Sequence, residues 1–261
     1  MKKYIVLLLI FVLSFFLFGC SNKKDEVDDL QLIKDRGYIK VGVKVDSPPF
    51  GYYNKEGKLV GLDVDIAYEI ANRIFDSSSP SHVEFVPVTP QNRISMLNSK
   101  NVDILVATMS ISNKRKLVLD FSIPYFVANQ KILVRKTSKI KSLQYFNKQG
   151  RLAIIMGTTG EKIARLISPN ANLIGAKSYT EAYNLLINNQ VDAVLGDDCI
   201  LAGYTNDKLV LTSSIYSREF YGVALRKSEK SKELLNLVNS AITTILDEKK
   251  INLIAKKWLV Y

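Results

Sequence analysis

Short runs of β-branched and aliphatic residues alternate along this chain with stretches whose apolar positions recur every three or four residues. That alternation is the pattern of parallel sheets assembled from strand–helix–strand units. Residues 38–45 (YIKVGVKV), 83–88 and 102–108 (VDILVAT) read as strands, 62–75 as a helix, 91–98 as a shorter helix, and Ser112 as the start of a helical turn. The second half repeats the order: 152–156 a strand, 159–167 a helix, 173–175 a weak strand, 178–187 a helix and 191–195 (VDAVL) a strand. Thr158 with Glu161, and Ser178 with Glu181, place a hydroxyl three residues ahead of a carboxylate, which predicts reciprocal caps on two helix starts. A last amphipathic helix carries Leu234, Leu235, Val238, Ala241, Ile242, Ile245 and Leu246 on one face, predicted as core.

Residues 96–108 and 185–197 correspond: each is a helix end, a polar turn, then Val-Asp and a buried strand. Superposing them puts Thr108 and Asp197 at matching C-terminal strand ends and Val45 opposite Met156 or Gly157. The pattern predicts an α/β chain of two lobes, each a mixed, mostly parallel sheet flanked by helices. Residues 125–134 and 220–225 are the candidate crossing strands, so lobe 1 is expected over 32–127, lobe 2 over 128–220, and a return to lobe 1 over 221–261. Open parallel sheets bind ligands beyond the carboxyl ends of their strands, which places the expected site in the cleft between lobes.

The N-terminus has a different character. Lys2 and Lys3 precede an apolar run from Ile5 to Phe18 broken only by Ser14, and Gly19-Cys20 closes it. This is the layout of an export signal, shorter than the ~20 residues of a spanning helix, so residues 1–19 are expected to be removed and the rest to work outside the cytoplasm. Residues 20–31 begin with the charged run SNKKDEVDD and read as a tether. Removing Lys2 and Lys3, with no acids, takes the formal net charge from +11 to +9. The basic residues are spread along the chain without stacking aromatics, and together with export this argues against nucleic acid as a partner. Cys199 is the only cysteine besides Cys20, so no internal disulfide is expected and Cys199 reads as a buried small hydrophobe. His82, the single histidine, sits beside the Ser/Pro-rich stretch 77–81, and neither a metal nor a cofactor is expected.

Several polar residues fall at predicted strand ends. Strand one ends at Lys44, followed by Ser47-Pro48-Pro49-Phe50, where the prolines predict an extended loop. Arg93 lies in the short helix after strand two, and Thr108, Ser110 and Arg115 follow strand three. In the other half, Gly157-Thr158-Thr159-Gly160 makes a strand-to-helix turn and Asp197 ends a strand. Free amides at a helix start suit a carboxylate, and a guanidinium such as that of Arg115 grips one with paired hydrogen bonds. Asp197 accepts from an ammonium. The set describes a receptor for an α-amino acid zwitterion. Lys44 and Arg93 are left as cations without partners, and uncompensated buried charge is costly, so a second carboxylate on the ligand is expected.

These stretches carry a family resemblance. Gly61-Leu-Asp-Val-Asp-Ile66, Asn101 to Thr108, Ser110 to Arg115 with Asp120 to Tyr125, and Val191 to Asp197 resemble the bacterial type-3 extracellular solute-binding proteins, which deliver amino acids to ABC transporters. The resemblance implies a type II periplasmic-binding-protein-like fold, a monomer that engages permease subunits, and closure of the lobes over the ligand. It assigns the α-carboxylate to Arg115 with the turn Gly157, Thr158 and Thr159, and the α-ammonium to Thr108, Ser110 and Asp197. Lys44 stands where relatives for basic amino acids carry an acid, and Asn92-Arg93 looks like the pattern of glutamate- or aspartate-binding members, so an acidic amino acid is the expected ligand. Glutamine and cystine are the alternatives. Ser47 replaces the aromatic that many relatives place over the ligand, and Phe50 or Tyr52 is expected to supply that surface. Leu17-Phe18-Gly19-Cys20 resembles a lipobox, which implies acylation of Cys20 and a membrane anchor. Some exported dehydratases of prephenate-like acids share the scaffold. Such chemistry requires a placed general acid or base, and with Asp197 assigned only Glu84 and Glu219 remain for it, so no enzymatic activity is expected.

Overall fold

The computed structural model describes residues 28–247 and 257–258, so the expected leader, Cys20 and most of the tether lie outside the described residues. Helix α1 (Asp29–Arg36) leads into β1 (Ile39–Val43), after which β2 (Asp46–Ser47), β3 (Gly51–Tyr53) and β4 (Leu59–Val60) form a small antiparallel sheet. Helix α2 (Leu62–Phe75), β5 (Val83–Pro87), α3 (Arg93–Asn98), β6 (Ile104–Leu105), α4 (Asn113–Lys116) and β7 (Leu119–Phe121) complete the first passage. The long strand β8 (Phe126–Arg135) then enters a second unit: β9 (Arg151–Ile155), α5 (Thr159–Ile167), β10 (Asn172–Ala176), α6 (Tyr179–Ile187), β11 (Ala193–Asp197), α7 (Asp198–Leu201) and β12 (Leu209–Leu211). Strand β13 (Ser217–Tyr221) leads back to β14 (Ala224–Arg226) and α8 (Lys232–Asp247).

Two sheets result, with orders β5-β1-β6-β14-β7 and β10-β9-β11-β8-β12, and β13 also pairs with β8. In each, three parallel strands are followed by an antiparallel one supplied from elsewhere in the chain. The chain is thus an α/β protein of two lobes. Strands β8 and β13 run side by side between them, and β14 lies in the first sheet.

The repeated Val-Asp has a physical reason. Lys100 and Asn189 turn left-handed at φ 61° and 56° after the helix ends, and the next two amides fold back onto one carbonyl, Met96 in lobe 1 and Leu185 in lobe 2. The valine then drops into the core, fully buried in both copies. The aspartate clamps the first parallel strand: Asp103 donates its N–H to the Lys40 carbonyl (2.8 Å) while its carboxylate accepts from Lys40 N (2.7 Å). Asp192 does the same to Arg151, at 2.8 Å in both directions. Each carboxylate also meets a guanidinium, Arg36 and Arg135 respectively. One side chain therefore stands in for a ladder partner at the open end of each sheet.

The described elements differ from the sequence reading most where side chains redirect the backbone, and the expected crossing strand 220–225 is instead β13 at Ser217–Tyr221. Only Ile104–Leu105 of 102–108 is a ladder strand, because the Asp63 carboxylate takes the Thr108 N–H (2.9 Å) and Thr108 turns left-handed at φ 46°. The proline loop is a tight reversal between β2 and β3, closed by Phe50 N donating to Ser47 O (2.8 Å), rather than an extended loop. At α6, Ser178 accepts from Glu181 N as predicted, but the Glu181 carboxylate reaches Lys177 N, one residue early. At α5 the Thr158 hydroxyl donates to Ile155 O (2.7 Å) instead of capping, and Glu161 accepts from Gly157 N. Helix α8 buries Leu234, Val238, Ala241, Ile242 and Ile245 against α1 and α2, while Leu246 lies outside the stripe at 37 % exposure. Cys199 is free and buried, and the ring of His82 stacks on Phe75 with Nδ1 2.7 Å from Gly37 O, a structural tie.

Candidate functional site

The C-terminal ends of the parallel strands face one another across a nearly closed cavity of ≈ 10 Å³ lined by Lys44, Pro90, Arg93, Thr108, Ser110, Arg115, Thr158, Thr159, Tyr179 and Asp197. Eight of the ten expected ligand contacts line it.

Phe50 and Gly157 do not. Phe50 is fully buried, edge-on to Phe126 (5.0 Å) and Tyr221 (5.5 Å), because its apolar ring is better accommodated in the core beneath the crossing strands than at a polar cleft. Tyr52 packs edge-on to Trp258 instead. The aromatic facing the cavity is Tyr179, which with Pro90 was missed from the sequence. The signal was present: extending the correspondence of Thr108 with Asp197 toward the N-terminus sets Pro90 opposite Tyr179, both at the approach to the helix that precedes the Val-Asp turn. Gly157 contributes through its backbone, its carbonyl accepting from Arg115 Nη2 (3.2 Å).

Lobe 1 supplies three buried cations. Arg115 sits in the four-residue helix α4, started by Ser112, whose Oγ accepts from Arg115 N; its Nη1 donates to Ser110 O (2.7 Å). Arg93 donates from Nη1 to Ala107 O (2.6 Å), and its buried Nε has no partner. Burial and then the neighbouring Arg115 push Arg93 down to about 9, which leaves it charged at neutral pH. Burial also lowers Lys44, against the attraction of Asp46. Lys44 was expected to lack a partner. Its Nζ instead stands 3.2 Å from Asp46 Oδ1, an ion pair that falls short of hydrogen-bond geometry, and 4.9 Å over the Tyr179 ring.

The acids are more numerous than the sequence reading allowed. In lobe 2, Asp197 accepts from Gln130 Nε2 and Tyr179 OH (3.1 Å), and burial raises it to about 6 against the Tyr221 hydroxyl, which lowers it. Glu219, 6 % exposed, accepts from Thr159 Oγ1 (2.8 Å) and partly opposes the burial that lowers Arg115. Asp63, fully buried behind the Thr108 loop, also accepts from Tyr125 OH (2.9 Å), and burial raises it to about 6. Glu84 is exposed on β5, opposite Lys40 and away from the cavity. Lys44, Arg93 and Arg115 are thus matched in number by Asp46, Asp197 and Glu219. Of these acids only Asp197 lines the cavity, so positive charge predominates among the lining residues, and Asp46 and Glu219 offset part of it from beside Lys44 and Arg115.

Among the described residues no group of three or more His, Cys, Asp or Glu is placed to hold a metal ion, and no helix is long and apolar enough to cross a membrane. The bacterial extracellular solute-binding proteins, family 3, match over residues 39–261. The ABC transporter glutamine-binding protein GlnH of Bacillus subtilis (strain 168) is 35% identical over 244 residues, covering 92% of this chain and 88% of that one. The glutamine-binding protein of Geobacillus stearothermophilus is 35% identical over 256 residues, covering 90% and 97%. Among solved structures, the ancestral amino acid-binding protein AncCDT-1, a precursor of cyclohexadienyl dehydratase, superposes with a TM-score of 0.81 at 32% identity, covering 88% of this chain and 99% of that one.

Proposed function

Since the chain belongs to the bacterial extracellular solute-binding proteins of family 3, we propose that it captures glutamine between its lobes and presents it to an ABC transporter. The observation that carries the choice of ligand is the Lys44–Asp46 pair. With Asp46 beside Lys44 and Glu219 offsetting Arg115, less positive charge is left for a second ligand carboxylate to neutralise, whereas a terminal amide adds polar contacts without adding charge. The glutamine-binding relatives point the same way.

Arg115, with Thr158 and Thr159, takes the α-carboxylate, and Asp197, with Thr108 and Ser110, takes the α-ammonium. Arg93 and Lys44 meet the side chain, the unpartnered Nε of Arg93 donating to the amide oxygen. The same N–H favours a second reading, glutamate or aspartate, whose carboxylate accepts more strongly. Lobe 1 (32–127 and 221–261) turns against lobe 2 (128–220) at the crossing strands, and no bond is made or broken. Acylation of Cys20 tethers the monomer outside the cytoplasmic membrane.

Calorimetry against glutamine, glutamate, aspartate, cystine and arginine, with a turnover assay on prephenate beside it, tests the reading. Glutamine should bind tightest and prephenate should persist. Tightest binding of glutamate or aspartate would favour the second reading, and a preference for arginine would sink both.

A further inference from the structure

The lobes also touch where the cavity does not reach. The Gln91 side chain is exposed and absent from the cavity lining, yet its Nε2 donates to two carbonyls of the opposite lobe, Met156 O at 2.8 Å and Lys177 O at 3.3 Å. Those carbonyls lie just past the last ladder pair of β9 and β10, Ile155 with Ala176, so they are beyond the sheet's own donors. A primary amide has two N–H groups, enough for both.

The turn carrying Gln91 is fixed from within lobe 1. Thr89 N donates to Asn92 Oδ1 (2.8 Å), Asn92 N to Thr89 Oγ1 (3.3 Å) and Arg93 N to Thr89 O (3.0 Å). Opposite it, Gly157 stands at φ 79°, and a β-carbon there would meet the Pro90 carbonyl oxygen at 2.8 Å and Gln91 N at 3.3 Å. The approach is thus backbone against backbone.

From this we infer that the 89–92 turn, seated on 156–157 and 177, is a latch: Gln91 sets how long the lobes stay closed while leaving ligand choice to the cavity. An interaction made only when the lobes meet shifts the balance toward closure by its full strength and is indifferent to what lies inside. Gln91 is a positioning residue in this sense, with no contact to the ligand.

The test uses the whole exported chain with Gln91→Ala and Gln91→Glu, the second being isosteric but setting a carboxylate against two carbonyls. Stopped-flow kinetics with glutamine, and with glutamate as a chemically different ligand, should show dissociation about 2- to 13-fold faster for Gln91→Ala, the range of ~0.5–1.5 kcal/mol for a net hydrogen bond. Gln91→Glu should lose more. The factor should be the same for both ligands, with association unchanged. Spin labels at exposed positions, Asn98→Cys in lobe 1 and Gln144→Cys in lobe 2, read with and without glutamine, should show a smaller closed fraction in Gln91→Glu. Unchanged dissociation and distances would overturn the latch. A loss that differs between the ligands would overturn it as well, because Gln91 would then be reading the ligand.

Discussion

The ends of β6 and β11 occupy matching places in the two lobes and follow the same Val-Asp clamp, yet they offer a ligand opposite chemistry. At the lobe 1 end, Thr108 turns left-handed, its amide is held by the buried Asp63, and Lys44, Arg93 and Arg115 surround it. At the lobe 2 end, β11 runs straight to Asp197, which projects a carboxylate steadied by Gln130 and Tyr179. The architecture recurs at the N-terminal ends of the strands, where Asp103 and Asp192 do identical work, and diverges at the C-terminal ends, where ligands bind. On the proposed reading a zwitterion engages both ends at once, which makes a molecule with one carboxylate and one ammonium a bridge between lobes.

The largest effect should come from removing one pier of that bridge. Arg115→Ala should lose ~2–5 kcal/mol of affinity for every amino acid that binds, from about 30-fold to several thousand-fold, by calorimetry. Lys44→Ala should cost less and alter preference among side chains, since Lys44 sits beside Asp46 and Tyr179 rather than beside Arg115's partners. Equal losses for both variants with all ligands would erase the distinction between a shared backbone grip and a selective side-chain end.

How far these ends were legible in the sequence differs by cause. The helices at 62–75 and 159–167 matched the structure residue for residue, because their apolar periodicity decides them even without a side-chain cap at either start. The cations and Asp197 were found because charged residues at strand ends are conspicuous. What could not be read was pairing across the fold. Asp46 lies two residues from Lys44 yet reads as an ordinary loop acid, and Glu219 reaches Thr159 only because β13 lies beside β8. Those two acids offset part of the positive charge on which an acidic ligand rested. Phe50 was misplaced for the same reason, since nothing local reveals that Phe126 and Tyr221 wait for it.

The recurrent ends can be separated by stability. Asp103 is the more buried clamp, its side chain 10 % exposed against 31 % for Asp192. Asp103→Ala leaves Lys40 N and the Arg36 guanidinium without their acceptor in a site water reaches poorly, and should cost about 2–4 kcal/mol in denaturant unfolding. Asp192→Ala exposes its partners to solvent and should cost about 1 kcal/mol. A reversed order would mean that the two turns are alike in form only.

A smaller effect distinguishes the ligand-binding ends by pH. Arg93, at about 9, keeps its charge throughout the neutral range, whereas Asp197, raised from 3.8 to about 6, gains a proton within it. An ammonium binds the ionised carboxylate, so affinity for glutamine should fall about tenfold between pH 7 and pH 5, with ~0.5 proton released on binding at pH 6. Folding should respond in the opposite direction. A carboxyl whose folded value lies above its unfolded one contributes stability that is complete below 3.8 and lost as pH rises through about 6; Asp197 and Asp63 both do this, so the ligand-free protein should gain stability from them on acidification over that window. The groups facing Asp197 include Gln130, which carries no titrating charge, and Tyr179, Tyr221, Glu219, Lys44, Arg93, Arg115 and Cys199; of these the burial-raised tyrosines and thiol stay neutral over that range and Arg93 stays charged. Calorimetry in buffers of different ionisation heat separates the two effects: proton release at pH 6 that vanishes at pH 8 assigns the pH dependence to the lobe 2 end, and affinity flat from pH 7 to pH 5 would remove Asp197 from the ammonium site.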